Sequence, residues 1–393
     1  MKISGIDLKV IKDSRQEDTL EVTLRSDSFE STASVPSGKS KGKFEVASIS
    51  PVQALEKIEG LKKEIQEIDF SSVSDFDYRL IELDGTPDKS NLGGNLILCL
   101  SIAFTKLLAR KNNLQTYELI QEIVGKISSK FPFLFFNLIG GGLHAQNSLP
   151  FQEYLLVTKF DSPSKGLEYA RTMIGRLKED VEKNFKEIRF GDEGAFAIAS
   201  NDPRVGLEVL NRNLEDSNIS LSLDVAASSF FEDGSYNVGG KIMSKDNLLS
   251  YYEQLTVDYQ LFSIEDPFAE EDWESFQKVV ESLGDKIWII GDDLTTTNPE
   301  KIKLAQDKEA ANAVIIKPNQ IGSVTEAISA AILAQSYGWK VIVSHRSGET
   351  MDSFIADLAF GIGADGLKSG APTQNQRLIK YNRLIEIEKM LGG

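Results

Sequence analysis

Short apolar runs that each end on a charged or imidazole side chain recur down the second half of the chain. They are Leu221-Ser222-Leu223-Asp224, Phe262-Ser263-Ile264-Glu265, Trp288-Ile289-Ile290-Gly291-Asp292, Val314-Ile315-Ile316-Lys317, Val341-Ile342-Val343-Ser344-His345-Arg346 and Gly366-Leu367-Lys368. From Asp224 to Glu265, Asp292, Lys317, His345 and Lys368 the steps are 41, 27, 25, 28 and 23 positions, and all but the first suit one strand, one helix and two short loops. This repeat predicts a β/α barrel, in which strand ends at one face carry the chemistry and would gather three acids, two lysines and a His-Arg pair.

The first part of the chain has a different pattern. Leu20-Glu21-Val22-Thr23-Leu24 alternates as a strand does, and the turn-rich Pro36-Ser37-Gly38-Lys39-Ser40-Lys41-Gly42 follows. Ser50-Pro51 is a good N-cap and first-turn pair, and Leu55, Ile58, Leu61, Ile65 and Ile68 then recur every three or four residues, predicting an amphipathic helix. Two more helical stretches, around 75–83 and 95–112, complete a small α+β unit. The polar Gly125-Lys126-Ile127-Ser128-Ser129-Lys130 marks a boundary, giving a cap over 1–128 and a barrel over 129–393.

Charge and composition narrow the function. A net charge of −16 and a pI near 4.8 argue against nucleic acid or an anionic membrane as the main partner, since phosphates must be met by a basic face. The single cysteine, Cys99, lies in an apolar stretch and reads as an inert core residue. The start of the chain has no long apolar segment, and the run over 131–139 is interrupted by Asn137, so a soluble, cytoplasmic protein is expected.

Asp224, Glu265 and Asp292 form the strongest chemical cluster. Acids at strand ends are individually most often solvated or capping, but three on successive strands repel one another unless a cation lies between them, and all-oxygen ligation favours Mg²⁺. Lys317 would sit beside that cation. Burial and a nearby positive charge both lower an ammonium pKa, and a drop of roughly three units is worth about 4 kcal/mol, enough for a base near neutral pH; the competing reading is a structural ion pair with one of the acids. Lys368 shares that alternative, with room otherwise to touch a small anion. Ser344-His345-Arg346-Ser347-Gly348-Glu349 offers a guanidinium, a hydroxyl and backbone N–H groups to a phosphate or carboxylate. The chain has two histidines, His144 and His345, both beside glycine-rich or charged loops. Glu153 and Glu193, if brought together, would share a proton, which raises one pKa and creates a general acid.

Two nucleotide motifs are rejected. Gly38-Lys39-Ser40 has Ala33 where a P-loop needs its first glycine, and the triple glycine at 140–142 lacks the dinucleotide spacing.

These residues resemble the enolase family over nearly the whole chain. The resemblance rests on Asp13-Ser14-Arg15, Val35-Pro36-Ser37-Gly38, Asp84-Gly85-Thr86, Lys89-Ser90-Asn91-Leu92-Gly93, Gly141-Gly142-Leu143-His144-Ala145, Gln152-Glu153, Gly191-Asp192-Glu193-Gly194, Leu223-Asp224-Val225-Ala226-Ala227-Ser228, Ser263-Ile264-Glu265-Asp266-Pro267, Gly291-Asp292-Asp293-Leu294-Thr295, Lys317-Pro318-Asn319-Gln320-Ile321-Gly322, Ser344-His345-Arg346-Ser347-Gly348-Glu349-Thr350 and Lys368-Ser369-Gly370-Ala371-Pro372. It implies reversible dehydration of 2-phosphoglycerate to phosphoenolpyruvate with two Mg²⁺ ions, Lys317 removing the C2 proton, and Glu193 with Glu153 helping the C3 hydroxyl leave. Asp224, Glu265 and Asp292 would hold the first metal and Ser40 the second. Arg346 and Ser347 would clamp the phosphate and Lys368 the carboxylate, while Gln152, His144 and His345 would line the pocket. It also implies an N-terminal α+β cap, a barrel whose second strand runs antiparallel, and a homodimer or higher homo-oligomer.

The sequence departs from the family pattern in places. Lys39 and Lys41 stand where small or neutral residues are usual, which suggests added positive charge over the phosphate. The segment after Glu45 is shortened, Ala195 replaces a glycine, and Ala197-Ile198-Ala199 replaces Ala-Pro-Asn. Two other readings keep the three acids: an enzyme of the same superfamily acting on a non-phosphorylated acid, and an enolase-like scaffold without catalysis. The complete 344–350 segment weighs against the first, and the presence of every expected catalytic side chain against the second.

Overall fold

Leu20, Val22 and Leu24 are fully buried and alternate with more exposed neighbours, placing them in the middle strand of a three-stranded antiparallel sheet. Its strands are β1 (Gly5–Lys12), β2 (Asp18–Ser26) and β3 (Phe29–Ser34). The structure, a computed structural model, describes residues 1–39, 42–145, 149–185 and 188–392. Four helices follow the sheet: α1 (Pro51–Gln66), α2 (Val73–Asp84), α3 (Gly94–Lys111) and α4 (Thr116–Val124). Ser50 caps α1 as its position predicts, its hydroxyl accepting from the Gln53 amide while the Gln53 side chain accepts from the Ser50 amide. In α3 apolar residues are buried almost all round, and burial pushes the Cys99 thiol pKa up, consistent with an inert core position.

The rest of the chain builds the barrel. Its elements run β4 (Phe133–Gly140), β5 (Glu153–Thr158), α5 (Pro163–Phe185), β6 (Phe196–Ala197), α6 (Arg204–Asn211), β7 (Ile219–Asp224), β8 (Phe231–Glu232), β9 (Ser235–Val238), β10 (Lys241–Met243) and α7 (Lys245–Tyr259). They continue through β11 (Ser263–Glu265), α8 (Trp273–Leu283), β12 (Trp288–Gly291), α9 (Pro299–Asp307), β13 (Ala313–Ile316), α10 (Pro318–Ile321), α11 (Val324–Ser336), β14 (Lys340–Ser344), α12 (Phe354–Gly361), β15 (Gly366–Lys368) and α13 (Asn375–Met390). Among the described residues, β4, β5, β7, β11, β12, β13, β14 and β15 follow one another around the barrel, and β15 closes it on β4 with Leu367 opposite Leu134. The long first step of the sequence repeat is explained by β8, β9 and β10, a small antiparallel sheet inserted before α7.

One strand breaks the parallel order. β5 pairs antiparallel with both β4 and β7, so its first residue, Glu153, lies opposite Asp224, the last residue of β7. A reversed strand offers its beginning to the face where the other strands offer their ends. Phe135, Leu155, Val157, Ile290, Ala313, Ile315 and Ile342 fill the barrel interior below that face, and the larger apolar core lies around them.

The N-terminal unit is fastened over the same face. Lys106 of α3 pairs with Asp352 at 2.7 Å, and Lys89 pairs with Glu326 at 2.9 Å. Ser37 and Gly348 exchange two backbone hydrogen bonds of 2.8 Å, which bring the segment after β3 to the barrel mouth.

Candidate active site

A cavity of about 200 Å³ at the barrel mouth is lined by most of the residues singled out above: His144, Gln152, Glu153, Glu193, Asp224, Asp292, Lys317, His345, Arg346, Ser347 and Lys368. Glu265 joins them by its ion pair with Lys368. Ser40, expected as a metal ligand, lies outside the described residues, as does Lys41.

Two buried lysines divide the acids between them. Lys368 ends β15, and its ammonium reaches Glu265 at 2.7 Å, Asp224 at 2.9 Å and Glu153 at 3.2 Å. Lys317, just after β13, pairs with Asp292, which also accepts from the Gln320 amide at 2.9 Å. Gln152 donates to Asp224 at 3.3 Å. Burial pushes the Glu265 carboxyl well above its ordinary pKa, helped by the charge of Asp224, and Oε1 of Glu265 is buried without a hydrogen-bond partner among the described residues. A carboxylate set that draws in an ammonium and still leaves an orphaned oxygen fits a cation, but among the described residues the donor atoms that lie within 4.8 Å of one another are those of Asp266, Asp292 and Asp293 and of His144, Glu153 and Glu193, not the expected set of Asp224, Glu265 and Asp292.

The lysines differ from expectation. Burial favours the neutral amine of Lys317, but Asp292 outweighs it, and the pKa is raised rather than lowered. The alternative of an ion pair describes the observed contact. Lys368, expected to meet a substrate carboxylate, is engaged by the protein's own acids, which prevail over burial and hold its pKa far above the usual lysine value.

Glu193 sits in a tight turn in which the Gly194 amide donates to the Gly191 carbonyl. Gly194 has φ +77°, and a Cβ there would lie 2.2 Å from Oγ1 of Thr373, so glycine is required. Asn137, inside β4, donates to Oε2 of Glu193 at 3.1 Å, and Nε2 of His345 lies 3.3 Å from the same oxygen. Nδ1 of His144 stands 3.4 Å from Glu153 and 3.5 Å from Glu193, close to both carboxyls but hydrogen-bonded to neither among the described residues. Their environments push them apart. Burial, reinforced by the charge of Glu193, raises the Glu153 pKa; burial also opposes the charge of Glu193, but the facing Nε2 of His345, His144 and the cations Arg377 and Lys368 overcome it and hold that carboxylate well below the usual range. The raised member of the predicted pair is therefore Glu153.

Arg346 is held by the N-terminal segment. Its Nη1 and Nη2 donate to the two carboxylate oxygens of Glu45 at 2.9 and 3.0 Å, and Nη1 also reaches Asn319 at 3.2 Å. A Cβ on Gly38 would lie 1.9 Å from Nη2, so glycine lets the loop pass over the guanidinium. Lys39 does not reach toward Arg346: its ammonium pairs with Asp192 at 3.0 Å, and its amide donates to the Ser347 hydroxyl at 2.8 Å.

Matches to two family models cover most of the chain: "Enolase, N-terminal domain" over residues 3–120 and "Enolase, C-terminal TIM barrel domain" over 128–393. The chain belongs to the enolase family. It is 38% identical to the enolase of Methanopyrus kandleri, 39% to that of Thermococcus gammatolerans and 38% to that of Thermococcus kodakarensis, each match covering 100% of this chain and 96% of the relative. As an enolase-family member it is a hydro-lyase whose chemistry uses a divalent metal and a small-molecule substrate, and its fold is the family's capped barrel. Among the described residues no helix is long and apolar enough to cross a membrane.

The sequence missed three contributors to the site. Asn137 was legible only as a polar interruption in an apolar strand. Glu45 carried no signal beyond being an acid near the first loop. Arg377 could have been found as a basic residue on the inward stripe Arg377, Lys380, Tyr381, Leu384 and Ile387 of α13, all of them buried.

Proposed function

We propose that this enolase-family protein interconverts 2-phosphoglycerate and phosphoenolpyruvate using Mg²⁺, with two ions when substrate is bound. The observation that carries the reading is that one cavity gathers a lysine, two coupled glutamates, a guanidinium and a carboxylate set. Lys317 removes the C2 proton. Glu193, with Glu153 and His144 beside it, holds the C3 hydroxyl and assists its loss as water, Glu153 being the member of the pair whose pKa burial raises. Arg346 and Ser347 bind the phosphate, and Lys368 the carboxylate, while Gln152 and His345 shape the pocket. Asp224, Glu265 and Asp292 would hold one metal and Ser40 the other. The metal supplies positive charge, which offsets charge developing on the substrate carboxylate and, at Asp292, the charge that keeps Lys317 protonated.

The reading places the enzyme in the cytoplasm as a homodimer or higher homo-oligomer, and divides it into a cap over 1–128 and a catalytic barrel over 129–393. The matched spans 3–120 and 128–393 support that division. The deciding test follows the ultraviolet absorbance of phosphoenolpyruvate during turnover of 2-phosphoglycerate with Mg²⁺. Wild type should be active and Lys317→Ala inactive; equal rates would remove the base, and turnover of a non-phosphorylated acid alone would replace the substrate.

A further inference from the structure

Arg377 is fully buried and, among the described residues, has no carboxylate within ion-pair distance. Its donors instead face the back of the active-site loop. Nη1 lies 2.6 Å from Nδ1 of His345 and donates to the Arg346 carbonyl at 2.5 Å. Nη2 donates to the Ser347 carbonyl at 2.6 Å and more loosely, at 3.4 Å, to the Ser14 hydroxyl and the Asp192 carbonyl, and Nε reaches the Gln374 side chain at 3.4 Å.

A guanidinium has five N–H donors and no acceptor. The nitrogen of His345 that faces it must therefore present a lone pair, which leaves the ring proton on Nε2, the atom 3.3 Å from Oε2 of Glu193. A proton on Nδ1 would set two N–H groups head to head in a buried site. We propose that Arg377 is a positioning residue that locks His345 as the neutral Nε2–H tautomer, making it a fixed hydrogen-bond donor to Glu193 and barring it from proton transfer. The other charged groups around the ring agree with a neutral imidazole. Burial, the largest influence, disfavours the imidazolium; Glu193 opposes that effect, while Arg377, Lys368 and Lys317 face the ring with positive charge.

The proposal deepens the assignment of Glu193 above and rests on it only for its catalytic consequence. The tautomer can be read without substrate. With ¹⁵N-labelled histidine the chain gives two ring systems, since it has two histidines, and a His144→Asn variant assigns them. Wild-type His345 should show a protonated Nε2 and a lone pair on Nδ1 from about pH 5.5 to 8.5. An Nδ1–H signal, or an imidazolium within that range, would overturn the proposal whatever the role of Glu193. In Arg377→Gln, whose amide can accept as well as donate, His345 should regain titration or exchange between tautomers, and kcat should fall by about 10- to 100-fold, in the range of a lost orienting partner. Arg377→Lys keeps a pure donor and should keep the wild-type ring signals. Identical signals in wild type and Arg377→Gln would refute the lock. Should that variant not fold, the wild-type spectrum still decides.

Discussion

Glu45 and Arg346 face each other through two parallel hydrogen bonds, each partner nearly buried, across the junction of the N-terminal unit and the barrel. The geometry is the one a guanidinium would offer to a phosphate, so the protein's own carboxylate engages the group proposed to bind substrate. Removing the charge of Glu45 takes away the carboxylate that both Nη atoms of the buried Arg346 grip, leaving the Asn319 contact and the charges of Asp292 and Asp293. Glu45→Gln should cost about 3 kcal/mol of stability, and added inorganic phosphate should raise its melting temperature more than that of wild type. Equal phosphate shifts in the two proteins would show that Glu45 and the anion do not share Arg346.

Lys368 pairs with three acids at once. Lys368→Met should destabilise the metal-free protein by about 3–5 kcal/mol, because Asp224, Glu265 and Glu153 are left facing one another in a buried space. Mg²⁺ should recover part of that loss if those acids form the metal site, and chelator should abolish the recovery. Thermal melts with and without the ion read both effects; a variant indifferent to Mg²⁺ would argue against the proposed ligands.

Asp77 joins α2 to the barrel, one oxygen accepting from the Thr325 amide at 2.9 Å while the other is buried with no partner among the described residues. Burial raises its pKa to about 6, against about 3.9 in an unfolded chain. The folded state thus binds the proton more tightly, and the associated stability is present below about pH 4 and lost as pH rises through about 6. Asp77→Asn should be more stable than wild type at pH 8, by up to about 3 kcal/mol, and should lose that advantage near pH 4. Denaturant titrations at the two pH values check the sign; an advantage confined to acid would reverse the argument.

Lys39 is partly exposed, as is its partner Asp192. Such a pair is worth at most about 1 kcal/mol, and its ammonium is directed at a carboxylate rather than at the guanidinium proposed to bind the phosphate. Lys39→Ala should change KM for 2-phosphoglycerate by less than about twofold. A larger rise would restore the idea of added charge over the substrate.

Much of this architecture was legible in the sequence because a parallel barrel repeats one rule. Each apolar run stops at the rim, so Asp224, Glu265, Asp292, Lys317, His345 and Lys368 could be placed by counting. Glu153 escaped the rule, since it opens a reversed strand and nothing in Glu153-Tyr154-Leu155-Leu156-Val157-Thr158 states a direction. Charge states were less legible than positions. Lys317 was expected to lose its proton beside a cation, whereas its nearest charged contact is Asp292, the ion pair that stood as the competing reading of the same strand ends. Arg377 was hidden because a basic residue in a charged helix looks solvated until the opposite wall is known.

The reversed strand also bears on how the barrel assembles. β4 and β5 are joined by 12 residues, 141–152, whereas β11 and β12 are joined by 22, so the hairpin saves about 0.5 kcal/mol of chain-closure entropy. Asn137 of β4 and Glu153 of β5 thus flank the least entropically demanding connection of the wall, so near-neighbour pairing alone brings two of the side chains around Glu193 to the same rim.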